Sequence, residues 1–355
     1  MSSESSAVRT ASEVLPRLER VLESRGQDPL ARRMEELRRL VATDLAQVEE
    51  ALQQPRPTGT PIQLSARHLL ALEGKRLRPT CVALASRVGM GFGAAARELA
   101  IAVELVHNAT LLHDDVVDLG DRRRGVPTAR LVYGNAASIF AGDFLLVEAL
   151  ERVRASKIPE LLDRAFAVLK EILEAESLQL ANRGVMHGVR ADYFRVAEGK
   201  TASLFGWALD AGARAGGCAP EVCLGLETYG RRLGVAFQVV DDMLDVAGSE
   251  DIIGKSLFTD LREGKITHPL LLAIERDAAL AAELEQAFTA DMVEVDAALA
   301  RRVGRALRET HALEDTMTLA MQLAGEASAA LAAVPAGAAR DSLDYIAVAL
   351  PHRRK

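Results

Sequence analysis

Apolar residues recur at helical spacing along nearly the whole chain. Leu15, Leu18, Val21 and Leu22 fall on one stripe, and Leu37, Leu40, Val41 and Leu45 on a second. Spacings of three and four place side chains on one face of an α-helix, so both runs predict helix between Ala11 and Gln54. The stretch PRPTGTP, Pro55 to Pro61, then breaks the pattern, because proline lacks the amide hydrogen and clashes with the preceding turn. Beyond it the pattern predicts helices over about 63–72, 76–89, 93–118, 135–153, 158–184, 189–215, 219–246, 267–276, 279–288, 292–309 and 311–333. Neither βαβ alternation nor strand-length runs of Val and Ile interrupt them, which implies an all-α fold of long antiparallel helices. Residues 1–11 are Ser-rich and read as a disordered tail. Residues 12–355 read as one all-helical domain, with an N-terminal extension to about 54.

Composition agrees. The 355 residues are 49% apolar and 26% charged, the balance of a globular chain, and only 4% aromatic, which disfavours a sandwich or barrel. With 43 Lys and Arg against 50 Asp and Glu the net charge is −7, which argues against a nucleic-acid partner and makes any anion site a local one. Cys81, Cys218 and Cys223 form no CxxC pair and suit small buried positions in a reducing compartment. The N-terminus lacks a basic and an apolar signal region. No run approaches the roughly 18 apolar residues of a membrane span, so a cytoplasmic location is expected.

Candidate chemistry begins with two matching segments, LLHDDVVD (Leu111 to Asp118) and QVVDDMLD (Gln238 to Asp245). Each places Asp-Asp-x-x-Asp on a helix, so Asp114 and Asp118 lie one turn apart, as do Asp241 and Asp245, with Asp115 and Asp242 beside them. Such crowding is unfavourable unless something positive neutralises it, since like charges at i and i+4 repel. Carboxylates without His or Cys ligands nearby suit a hard cation that keeps waters and borrows ligands from phosphate, as Mg²⁺ does. A solvated acidic face is the plainer explanation for either cluster alone. Both, however, follow strongly apolar runs that set them at the edge of a core.

A metal-bridged polyphosphate also needs protein cations. Lys75 and Arg78 stand in GKRLRP, and Arg123 and Arg124 in DRRRG, just after the first acidic helix and within reach of it. Arginine forks match phosphate oxygens bidentately, whereas lysine supplies a mobile point charge. Lys200 and Thr201 (EGKT), Lys255 (GKS) and Lys265 (EGK) are further candidates, and none has the spacing of a P-loop. His107 lies two helical turns before Asp114 on the same face.

The ordered set GKRLRP, HNATLLHDDVVD, DRRRG-x-PT, GNAASIFAGDFLL, GKT, FQVVDDMLD, GK and EGK resembles the trans-prenyl diphosphate synthases from about residue 30 onward. The resemblance implies the isoprenoid synthase type of helical bundle, usually a homodimer, with a deep central cavity between two Asp-rich helices. It implies that Asp114 and Asp118 ligate two Mg²⁺ ions and Asp241, helped by Asp245, a third, with Asp115 and Asp242 in support. Arg123, Lys200, Thr201, Gln238, Lys255 and Lys265 match contacts to an allylic diphosphate, and Lys75, Arg78, His107 and Arg124 match an isopentenyl diphosphate pocket. Asp114, Asp118, Asp241, Lys200 and Arg123 then serve catalysis directly. Gln179 matches a polar residue that orders metal-bound water. A lipid product implies transient contact with a membrane surface on release.

Two positions depart from the family pattern: Glu73 and Phe258 stand where glycines are common. Short-chain members carry an aromatic four or five residues before the first aspartate. Here those positions are Thr110 and Ala109, so a product of about 30 carbons or longer is expected. The alternatives are a short-chain synthase, a class I terpene cyclase, which needs no isopentenyl diphosphate site, and a non-catalytic subunit, which generally loses its Asp clusters.

Overall fold

The computed structural model describes residues 28–54, 59–72, 74–185, 190–247, 258–289, 292–293 and 295–353. The expected tail, the first apolar stripe, Glu73 and Lys255 lie outside them. The chain divides into two compact units: Met1–Ala165 with Ala208–Leu226 and Ala333–Tyr345, and Phe166–Trp207 with Glu227–Ala332 and Ile346–Lys355.

In the first unit, α1 (Asp28–Gln53) buries Met34, Leu37, Val41, Val48 and Leu52 along one stripe. Asp44 interrupts that stripe and is itself buried, its carboxylate held by Arg87 at 2.6 and 2.8 Å. Helix α2 (Pro61–Leu70) starts two residues earlier than its apolar pattern. Thr60 caps it by accepting from the Gln63 amide at 3.3 Å, and Pro61 takes the first-turn position where a missing amide costs nothing. The last proline of PRPTGTP therefore opens a helix rather than ending the linker.

Helix α3 (Leu77–Val88) and helix α4 (Ala94–Val117) follow. Leu99, Ile101, Ala102, Val103, Leu105, Val106, Ala109 and Leu112 of α4 are all buried, the signature of a helix surrounded by others. It packs on α1, on α3 and most extensively on α6. After α4 come a short hairpin, β1 (Arg122–Arg123) with β2 (Val126–Pro127), then α5 (Ala129–Tyr133) and α6 (Asn135–Ala155). Residues 160–165 open α7 (Glu160–Ala181). Residues 208–215 of α9 (Ser203–Ala215) lie so close to α3 that a β-carbon on Gly212 would meet the Val82 carbonyl oxygen at 2.4 Å.

The second unit contains the rest of α7, then α8 (Arg190–Ala197), a π-turn (Glu198–Ala202) and the start of α9. It also holds residues 227–246 of α10 (Pro220–Val246), α11 (Thr259–Arg262), α12 (His268–Arg276), α13 (Ala278–Ala287), α14 (Ala297–Glu309) and α15 (Ala312–Ala330). One core cluster joins Val246, Phe258, Leu261, Leu270, Leu280, Leu284, Val303 and Leu307. Helix α14 begins at Ala297, where Asp296 accepts from the Leu299 amide at 2.7 Å, five residues later than its pattern suggests. Before it the chain forms a second hairpin, β3 (Phe288–Thr289) with β4 (Met292–Val293).

The fold class is as expected, and the helix ends agree to within a few residues. The differences are the two hairpins, the π-turn within 189–215, the short helices α5 and α11, and a further helix, α16 (Ala338–Ala349). The cysteines are unpaired, and burial pushes the Cys81 thiol up to about 12, the behaviour of an inert core residue.

Candidate active site

The last turn of α4 sets out the first acidic group. Asp118 caps that helix, its amide bonded to the Asp114 carbonyl at 2.8 Å, and the Gly120 amide closes back on the Asp115 carbonyl at 3.0 Å. A carboxylate at a helix C-terminus meets the negative end of the helix dipole, so it needs a cation. Arg123 supplies one: its Nε and Nη2 donate to Asp115 Oδ1 at 2.9 and 2.7 Å. The hairpin makes this reach possible. Arg124 (φ 52°) and Gly125 (φ 83°) sit between the paired residues Arg123 and Val126, giving the two positive φ angles of a tight two-residue turn. Asp115 is only 2% exposed, and its Oδ2 is buried without a hydrogen-bond partner.

Four arginines gather around His107 on the same helix. Burial holds the His107 ring well below its usual value, and Arg78, Arg124, Arg123 and Arg76 add to the effect, so the ring is neutral at pH 7. It is a neutral donor or acceptor in a cationic pocket. Arg76 is the member that the sequence did not single out. It caps α3 in the left-handed region (φ 46°) and is spent on structure, bonding Glu49 at 2.8 and 3.1 Å and buried Glu104 at 2.6 Å. Burial works against its charge, but Glu104 and Glu49 together raise its pKa above the ordinary arginine value. Its neighbours Lys75, which is exposed, and Arg78, half-buried, flank that anchor. Burial lowers the Arg78 guanidinium, with Glu104 opposing. Arg124 Nη1 donates to the Leu72 carbonyl at 3.1 Å. Gly74 leaves room for these guanidinium groups, since a β-carbon there would come within 2.8 Å of Arg76 Nη1 and 3.3 Å of Arg124 Nη1 and displace them.

The second acidic group closes α10. Asp242 is 2% exposed and accepts from Gln238 Nε2 at Oδ1 and Tyr193 Oη at Oδ2, both at 2.7 Å. Burial pushes its carboxyl up to about 6; the Tyr193 and Gln238 hydrogen bonds oppose that, and Asp245 reinforces it. The Tyr193 phenol is raised well above its usual value by its own burial and by Asp242, so it stays protonated and donates. Asp245 accepts from the amides of Thr259 and Asp260, both at 3.2 Å, at the start of α11. Asp260 is a fourth carboxyl here that the sequence did not flag; burial, then Asp242 and Asp245, raise it well above the usual range. Asp241 is paired with Arg353, whose guanidinium lies 4.2 Å above the Phe237 ring.

The remaining candidates of this unit are placed as follows. Thr201 Oγ1 donates to Gln238 Oε1 at 2.7 Å, which ties the π-turn to the acidic turn. Lys200 bonds Glu176 at 2.7 Å and Gln179 Oε1 at 3.0 Å. Lys265 pairs with Glu263 at 2.7 Å. Phe258 takes a left-handed conformation (φ 60°) at the start of α11 with its ring 7% exposed in the core. That explains why glycine suits the position and shows what this chain gains by departing from it.

The donor set fits a divalent cation. All the acidic ligand candidates are hard oxygens, Asp115 Oδ2 is a buried acceptor without a partner, and burial, reinforced by neighbouring carboxylates, raises the carboxyls of Asp242 and Asp260. Among the described residues, however, no three His, Cys, Asp or Glu side chains gather closely enough to hold an ion by themselves. An ion here would complete its shell from phosphate and water, as Mg²⁺ commonly does.

An all-helical fold with paired aspartate motifs and an arginine pocket defines an isoprenoid synthase. The polyprenyl synthetase family model matches residues 60–302, and the chain belongs to that family. It is a prenyltransferase. It is 39% identical over 242 residues to octaprenyl diphosphate synthase of Escherichia coli (strain K12), covering 68% of this chain and 75% of that one. It is 32% identical over 314 residues to heptaprenyl diphosphate synthase component 2 of Geobacillus stearothermophilus, covering 88% and 97%. Among solved structures, a polyprenyl synthase from Caulobacter crescentus CB15, complexed with calcium and isoprenyl diphosphate, matches with TM-score 0.82 at 36% identity, over 90% of this chain and 98% of that one. A decaprenyl diphosphate synthase from Rhodobacter capsulatus matches with TM-score 0.83 at 32% identity, over 90% and 99%.

Proposed function

We propose that the chain condenses an allylic diphosphate with isopentenyl diphosphate, head to tail, in a Mg²⁺-dependent reaction. The observation that carries this reading is the arginine pocket around neutral His107, on the same helix as Asp114 and Asp118, in a chain of net charge −7. A cyclase needs no such second anion site.

In this reading Asp114 and Asp118, and separately Asp241 with Asp245, hold Mg²⁺ for the allylic diphosphate, about three ions in all. Bound Mg²⁺ neutralises charge building on the departing diphosphate. Lys200, Thr201, Gln238, Arg123, Lys255 and Lys265 bind and orient that diphosphate, so the allylic C–O bond ionises in an environment already organised for the charge. Lys75, Arg78, Arg124 and His107 hold the isopentenyl diphosphate so that its double bond attacks the allylic carbon. The released diphosphate then takes the proton shed by the new carbocation, which leaves the longer allylic diphosphate. Asp115 and Asp242 act from behind, anchored by Arg123 and by Tyr193 with Gln238.

The absence of an aromatic at Ala109 and Thr110 supports a product of about 30 carbons or longer. The relatives named octaprenyl and heptaprenyl synthases favour the same side, and a Methanosarcina mazei relative named geranylgeranyl diphosphate synthase keeps the shorter product as the alternative. The family model runs through residues of both units, which supports one catalytic domain over 12–355. A homodimer in the cytoplasm is the expected state, with contact to a membrane surface on product release. Among the described residues no helix is long and apolar enough to cross a membrane.

The test is incubation of the chain alone with radiolabelled isopentenyl diphosphate, an allylic primer and Mg²⁺, followed by analysis of the dephosphorylated product. Chain growth that EDTA abolishes is expected. Cyclised hydrocarbon, or label left unincorporated, would overturn the reading.

A further inference from the structure

We propose that Tyr193 is a positioning residue: its hydroxyl locks Asp242, and through Asp242 it fixes the turn from which Asp241 and Asp245 project against the turn that carries Lys200 and Thr201. What that turn does rests on the prenyltransferase reading; the locking itself is geometric.

Asp242 is met by protein donors on both oxygens, Tyr193 Oη at 2.7 Å on one and Gln238 Nε2 at 2.7 Å on the other. The Gln238 amide cannot rotate freely, because its oxygen accepts from Thr201 Oγ1 at 2.7 Å. Thr201 lies in the π-turn that follows α8, and Tyr193 lies in α8 itself. The path Tyr193, Asp242, Gln238, Thr201 therefore leaves one stretch of chain and returns to it, a closed circuit of three hydrogen bonds completed by the backbone. A circuit of this kind fixes rotation as well as distance, since each donor and acceptor has a preferred direction.

Packing holds the phenol in place. Its ring lies edge-on to Phe194 at 5.3 Å and tilted against His268 at 5.5 Å, and His268 Nδ1 is within 3.0 Å of Thr316 Oγ1. Phenylalanine at 193 would keep these ring contacts and remove only the donor. Groups that orient ligating carboxylates from behind typically matter by roughly 10- to 100-fold in metal affinity.

The experiment compares wild type, Tyr193→Phe and Phe194→Leu, a packing control that leaves the hydroxyl in place. Mn²⁺ binding in the presence of inorganic diphosphate is followed by electron paramagnetic resonance, alongside thermal midpoints and steady-state kinetics. Tyr193→Phe is expected to weaken Mn²⁺ binding by about 10-fold or more, within that range. It should also raise KM for the allylic diphosphate more than it lowers kcat at saturating Mg²⁺. Phe194→Leu should leave Mn²⁺ binding at the wild-type level. Wild-type binding in Tyr193→Phe, equal losses in both variants, or a Tyr193→Phe protein that fails to fold would each assign Tyr193 to the core and overturn the proposal. Failure of the wild type to elongate a primer would remove the prenyltransferase reading instead, and the Mn²⁺ comparison would still report on the lock.

Discussion

Arg353 is paired with Asp241, the first aspartate of the second acidic motif, while its guanidinium rests on the Phe237 ring. Burial lowers the Arg353 pKa to about 10, so it is still a cation at neutral pH. Two cations cannot share one carboxylate oxygen without cost. Arg353→Gln should therefore tighten binding of a divalent ion at Asp241, several-fold by Mn²⁺ titration, and lower the thermal midpoint as the pair is lost. Unchanged affinity would mean that the pair opens at no cost.

Phe258 adopts a conformation that costs a non-glycine residue about 1 kcal/mol. Its ring lies in the core with Val246, Leu261 and Leu270, and deleting a buried phenyl group costs about 3–5 kcal/mol. The second effect is larger, so Phe258→Gly should destabilise by about 2–4 kcal/mol in urea unfolding. A more stable variant would show that the ring contributes little.

His268 is 5% exposed, and burial lowers its pKa to about 4 from an ordinary 6.5. Between those values the unfolded chain binds the proton and the folded chain does not, so this group's contribution to stability is lost as pH falls from 6.5 towards 4. Neutral His107 acts in the same direction, whereas the raised carboxyl of Asp242 acts in the opposite one. The difference between wild type and His268→Asn isolates the term. The urea midpoint of the variant should fall less than that of wild type between pH 7.5 and 5, and parallel curves would refute the assignment.

Product length is best probed at Thr110. Ala109 is fully buried in α4, so Ala109→Phe would overpack the core at about 1–3 kcal/mol. Thr110 is half-buried, its hydroxyl bonded to the His107 carbonyl at 2.8 Å. Thr110→Phe should shorten the dominant product in mass analysis while keeping near-native stability; an unchanged product would move the length control to another helix.

Most of the architecture was legible because α4 and α10 carry apolar runs too long and too regular for any other element. The acidic motifs were legible for the same reason, being local in sequence. What could not be read came from distant partners. Arg353 reaches Asp241 from more than a hundred residues away, and Tyr193 finds Asp242 from a different helix. Arg76, which the sequence did not single out in GKRLRP, is held by Glu49 and Glu104, both more than twenty residues away. The hairpin was hidden because two positive-φ residues, Arg124 and Gly125, look like any basic loop. Helix α16 was missed because it follows Gly337 at the end of an Ala-dense stretch with no clear period.

The π-turn at Glu198–Ala202 bonds the Ser203 amide to the Glu198 carbonyl, a span one residue wider than the α-helix allows. It acts as a single inserted residue. Each helical residue advances about 100° around the axis, so removing one from EGKT would turn everything upstream by that angle relative to α9. Lys200 and Thr201 are thus aimed by counting: the bulge shifts the helical phase so that Lys200 meets Glu176 and Gln179 and Thr201 meets Gln238, while Leu204 and Phe205 of α9 stay buried.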